Sequence, residues 1–142
     1  MAWFRCGGGG GNLTEIIGGN YTFSESIKSN TLNAKVSITD EYIELYTSNS
    51  YHANPTYLAI DTDEYFDLTK YDYIYTERSS SGAIILVDES NTEVIGVGSL
   101  LNLSEYGGLY KIRLKVSIGA VGNAASASMK VTTITLVKRN KK

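Results

Sequence analysis

The stretch LYKIRLKVSI, residues 109–118, decides the fold. Leu109, Lys111, Arg113, Lys115 and Ser117 alternate with Tyr110, Ile112, Leu114, Val116 and Ile118. In extended backbone successive side chains point to opposite faces, so the second set makes an apolar face and the first a mostly wet one. A half-buried strand of this kind needs a second layer to cover its apolar side.

Outward from this stretch the same vocabulary recurs. SMKVTTITLV, residues 128–137, sets Met129, Val131, Thr133, Thr135 and Val137 against Ser128, Lys130, Thr132, Ile134 and Leu136, a less tidy division that fits burial on both faces. Short apolar runs with turn signals between them predict further strands at 20–23, 32–39, 42–47, 57–61, 71–77, 83–88 and 93–99. Helix is scarce: only DEYFDLTK, residues 63–70, can make a turn or two before YDYIYTE returns to period two, with Tyr71, Tyr73 and Tyr75 expected on one face. Nine short strands at near-regular spacing predict an all-β, antiparallel β-sandwich of jelly-roll type.

The chain starts MAWFRCGGGGG, and a run of five glycines has no side chain to bury and the most backbone entropy to lose. It therefore reads as a flexible glycine-rich N-terminal arm over residues 1–19, followed by the sandwich at 20–138 and a basic tail at 139–142. Within the arm, Trp3, Phe4, Cys6 and the glycines Gly7, Gly8, Gly9, Gly10 and Gly11 form an expected assembly anchor: the aromatics bury against a partner or another copy while the glycines pass through a tight space. Cys6 is the single cysteine, so it makes no internal disulfide.

Composition excludes several functions. Thirteen basic and fifteen acidic residues leave a net charge of -2, which provides no electrostatic footprint for nucleic acid. No apolar stretch reaches the roughly 20 residues of a membrane helix, and the start lacks the basic region, apolar run and cleavage site of a secretory signal.

No catalytic constellation stands out. A Ser or Cys triad needs a base held by a carboxylate, and the one histidine, His52, sits in SNSYHANPTY, where Asn54-Pro55 signals a turn. His52 thus reads as a loop residue, and the chain as a non-enzyme without cofactor. GGGGGN lacks the strand-loop-helix context and the GKS or GKT of a phosphate cradle. IDTDEYFD gathers acids in a connection, where solvation is the ordinary reading and a calcium ion held by Asp61 and Asp63 the minor one.

Tyrosine is the informative residue, because it supplies rigid contact area with a polar tip. Tyr42, Tyr46, Tyr51 and Tyr57, with His52 and Asn54 in the loop among them, are expected to cluster at one end as a recognition surface.

The succession YLAIDTDEYFDLTKYDYIYTE, AIILVDESNTEVIG, LLNLSEYGGLYKIRLKVSI and ASMKVTTITLV resembles the jelly-roll sandwiches of carbohydrate-binding-module type found in phage tail and baseplate proteins, over roughly residues 20–138. MAWFRCGGGGG is similar to short leaders on small proteins encoded among phage tail genes. The resemblance implies a virion component, released by lysis, that partners other virion proteins or itself, as a homotrimer for instance. The alternative it implies is a module binding cell-surface or polymeric glycan, carried by tyrosines because the single tryptophan, Trp3, lies in the leader.

Overall fold

The structure, a computed structural model, describes residues 12–49, 54–80, 82–120 and 124–139. The anchor residues Trp3, Phe4, Cys6 and Gly7 to Gly11, and the candidates Tyr51 and His52, lie outside the described residues. Among the described residues twelve strands run in chain order: β1 Leu13–Glu15, β2 Phe23–Ser29, β3 Asn33–Ile38, β4 Ile43–Asn49, β5 Thr56–Thr62, β6 Phe66–Asp67, β7 Tyr71–Ser80, β8 Ala83–Asp88, β9 Glu93–Gly96, β10 Leu100–Asn102, β11 Leu109–Ile118 and β12 Ala125–Lys138.

They form two antiparallel sheets. One has the order β10-β7-β12-β4-β3, with β1 also paired to β12; the other has the order β2-β5-β11-β8-β9, with β6 paired to β11. Eight of these strands reproduce the jelly-roll arrangement: β10-β7-β12-β4 faces β9-β8-β11-β5, and the chain changes sheet at nearly every connection. The β8–β9 hairpin stays within one sheet, and Asn91 at φ 65 makes its turn, with Asp88 Oδ1 accepting from the Ser90 and Thr92 amides.

The core lies between the sheets. Ile43, Leu45, Ile74, Met129, Val131, Ile134 and Leu136 from the first sheet meet Leu58, Ile60, Ile84, Leu86, Ile112, Leu114 and Val116 from the second, all buried. Burial of each such side chain contributes about 1.5–3 kcal/mol relative to exposure. The expected faces of β11 hold for every residue but one, Arg113, which is buried on the outer side.

Two bulges correct the simple alternation. In β12 the register against β7 shifts between Val131 and Thr133, so the inward set is Met129 and Val131 before the shift, Ile134 and Leu136 after it. A second shift, between Val137 and Lys138, leaves Asp72 without its own partner in β7 and turns Tyr71 inward, 8% exposed, with its hydroxyl near Thr14 Oγ1. Tyr71 therefore does not share a face with Tyr73 and Tyr75, which are exposed.

The ends of the chain are tied in further than their composition suggests. Residues 13–15, placed by sequence in the arm, pair with β12 residues 135–137, and Ile16 and Ile17 are core. Gly18 at φ +81 and Asn20 at φ 72 make the left-handed turn that delays β2 to Phe23. Arg139, placed in the tail, donates from its amide to Lys70 O and from its guanidinium to Thr69 O and Tyr71 O, and pairs with Asp72 at 3.3 Å. Residues 63–70, expected to make at most a turn or two, form β6 and one 3-10 turn, Leu68–Lys70, capped by the Asp67 carboxylate, which leads into β7.

Candidate functional site

Strand β4 places two of the sequence candidates together. Ile43, Leu45 and Thr47 point into the core, so Tyr42, Glu44, Tyr46 and Ser48 point outward. At about 3.3 Å per residue, Tyr42 and Tyr46 stand about 13 Å apart along the strand. The register sets Tyr46 between Lys35 of β3 and Ser128 of β12, Glu44 between Ser37 and Lys130, and Ser48 between Asn33 and Ser126.

A shallow groove of about 570 Å³ runs here, lined by Asn33, Ala34, Lys35, Ser37, Glu44 and Tyr46. Beside it the Lys130 ammonium lies 4.4 Å from the centre of the Tyr42 ring, which fixes that ring on the sheet surface. At the other end Ser48 Oγ is buried without a hydrogen-bond partner among the described residues. The groove thus combines a half-buried aromatic ring with one cation, one carboxylate and several neutral hydrogen-bonding groups.

The remaining candidates lie elsewhere. Strand β4 belongs to one sheet and β5 to the other, and Tyr57 points outward from β5 beneath Lys115, whose ammonium is 4.9 Å from the ring centre. The expected cluster of Tyr57 with Tyr42 and Tyr46 is corrected: the three occupy opposite outer faces of the sandwich. Asn54 is exposed in the connection leading to β5. That connection is pinned at its ends by Asn30 Nδ2 donating to Pro55 O and Asn49 Nδ2 donating to Thr56 Oγ1.

Sequence reading missed the polar network on the outer face of the β5-β11-β8 sheet. Arg113 and Asp61 are directly opposite in register, and Arg113 Nε and Nη2 donate to the two Asp61 carboxylate oxygens at 2.8 and 3.1 Å. Arg113 also donates to Glu93 Oε2 and Asn91 Oδ1, and Ser26 Oγ donates to Asp61. This bidentate pairing holds the guanidinium still more firmly protonated, first through Asp61.

Neighbouring Asp63 accepts from the Ser24 and Thr22 hydroxyls, which, with Lys111 nearby, hold its carboxyl below the usual range. The calcium candidate Asp61 and Asp63 is thereby corrected: Asp61 is neutralised by Arg113, and no group of three or more metal-ligating side chains exists among the described residues.

Burial pushes the Glu93 carboxyl up, but hydrogen bonds from Arg113 and Lys115 and the charges of both outweigh it and hold the group below its ordinary value. A carboxylate with a lowered folded-state pKa contributes stability that is complete above its unfolded value, about 4.3, and is lost as pH falls through the folded value. The urea midpoint is therefore expected to hold between pH 7 and 5 and to fall below about pH 4. In Glu93→Gln the fall is shallower, and an unchanged acid slope in that variant contradicts the assignment.

Tyr73 and Tyr75 form a second exposed aromatic pair on the outer face of the first sheet, near exposed Leu100 of β10, which stands opposite Tyr75. The Tyr75 hydroxyl donates to Glu77 Oε2, which raises its pKa, and Thr133 donates to Glu77 Oε1. No helix among the described residues is long and apolar enough to cross a membrane.

No family model matches the chain, and no curated protein matches it. Among solved structures the chain is similar to a low affinity xylan binding module, CBM86, from the xylanolytic gut symbiont Roseburia intestinalis. The similarity has a TM-score of 0.42 at 9% identity and covers 83% of this chain and 96% of that one.

Proposed function

We propose that this chain is a non-catalytic recognition module that binds a polymeric glycan along the outer face of β3 and β4. One observation carries the reading: the groove beside Tyr46, with Lys35, Glu44, Asn33 and Ser37 around a half-buried ring and Tyr42, just before β4, about 13 Å further along the chain. A sugar offers an apolar face of C–H groups and a rim of hydroxyls, and a tyrosine with polar neighbours complements both. The groove is open and shallow, so it suits an extended chain held by several weak contacts rather than an enclosed small molecule. This built surface favours glycan recognition over a purely structural role in a virion.

The test is retention of the full chain in gels cast with soluble plant and bacterial polysaccharides. At least one polysaccharide is expected to retard it, and Tyr46→Ala to weaken that interaction about tenfold, roughly 1.4 kcal/mol. Tyr65→Ala, in the β5–β6 connection where Lys111 of β11 covers its ring, leaves retardation unchanged. Absence of retardation by every polysaccharide, or equal loss in both variants, overturns the reading.

A further inference from the structure

One edge strand of the sandwich, β3, is both long and regularly paired, with a single charged residue, Lys35. Edge β2 is interrupted by a bulge between Glu25 and Ile27 and carries Glu25 and Lys28; β9 has four residues and adjoins a register shift; β10 has three. Strand β3 differs from all three. It pairs with β4 without interruption over Asn33–Ile38, contains no proline, and its outer edge is unpaired among the described residues. Its core-side residues Val36 and Ile38, opposite Leu45 and Ile43, remain 40% and 49% exposed.

We propose that β3 is a dimerisation edge, pairing antiparallel with β3 of a second copy about a two-fold axis at Val36. The hydrogen-bond phase sets this register. Thr39 N donates to Tyr42 O at 2.9 Å, and the alternation of an antiparallel ladder then directs the backbone groups of Asn33, Lys35 and Ser37 toward β4 and those of Ala34, Val36 and Ile38 toward the free edge. Centred on Val36, the pairing sets Val36 against its own copy and Ala34 against Ile38, each a hydrogen-bonded pair, and extends the apolar core side across the axis.

Charge selects the same register. Centring on Lys35 opposes two lysines, whereas centring on Val36 sets Lys35 opposite Ser37 of the second copy. Ser37 is followed, one strand further, by Glu44. Two strand spacings are about 10 Å, and the small serine lets the lysine side chain cross to that carboxylate. Neither Lys35 nor Glu44 belongs to an ion pair among the described residues, so two symmetric pairs become available.

Sedimentation of the full chain in reductant, over a hundredfold concentration range, tests this. A monomer–dimer equilibrium is expected, together with its persistence in a chain starting at Asn12, which removes the glycine-rich start and Cys6. Val36→Lys, at an exposed position that folding tolerates, is expected to give a monomer with an unchanged circular dichroism spectrum. Lys35→Glu is expected to weaken the dimer at least tenfold, and Lys35→Glu with Glu44→Lys to restore it. A monomer at every concentration, a dimer unaffected by Val36→Lys, or a charge reversal that fails to restore association overturns the proposal, and none of these outcomes depends on glycan binding.

Discussion

Arg113→Met is expected to lower unfolding stability by about 3–4 kcal/mol, among the largest losses available on an outer face of this protein. The side chain is 4% exposed and the Asp61 side chain 10%, so removing the guanidinium strands a carboxylate that water reaches poorly. The loss measures this stranding rather than a large net gain from the ion pair, whose formation also cost the desolvation of both ions. Arg113→Met combined with Asp61→Val is accordingly expected to recover most of the stability. Urea unfolding of the three proteins decides it: a loss below about 1 kcal/mol in the single variant shows that Asp61 rehydrates and that the network is peripheral.

Leu45→Ala is expected to cost about 2–5 kcal/mol, since the side chain is fully buried and its neighbours Met129, Val131 and Ile43 are held by β12 and β4 and close only partly around a cavity. For a domain of this size that corresponds to a fall in melting temperature of roughly 6–15 °C. Leu45 lies back to back with Tyr46, one residue along and on the other side of the sheet. Below its melting point the variant should keep its polysaccharide retardation, just as Tyr46→Ala should keep its stability. A Leu45→Ala protein that unfolds with the wild type contradicts the packing described for this face.

The contrast between these residues shows what was legible in the sequence. Period two assigned the inward face of β11 correctly, because an exposed row of Ile112, Leu114 and Val116 has no other resting place. It also assigned Arg113 to the opposite face, but its burial depends on Asp61 being directly across in β5, a register that no local pattern encodes. The untidy division of β12 was visible, and its cause was a bulge rather than burial on both faces, since one inserted residue inverts every later side chain. Tyr71 was misplaced for the same reason.

The candidate face was legible in part. Tyr46 is on β4 and Tyr42 immediately precedes it, four residues away, so their common face follows from continuing the pleat. Tyr57 was grouped with them by proximity in sequence, but the chain crosses from one sheet to the other between β4 and β5. Lys35, Ser37 and Asn33 carry no aromatic or catalytic signal and join the groove only through the β3–β4 register.

Strand β12 occupies the middle of its sheet, joined to β7 along one side and to β4 and β1 along the other, and it follows all of them in the chain. During vectorial synthesis, β1, β4 and β7 therefore leave the ribosome with no partner to unite them, and half of the sandwich stays open until the last strand emerges. Closure of this sheet therefore waits on β12 and on loops as long as the β1–β12 separation, and the nascent protein carries its unpaired β4 and β7 edges until that strand emerges.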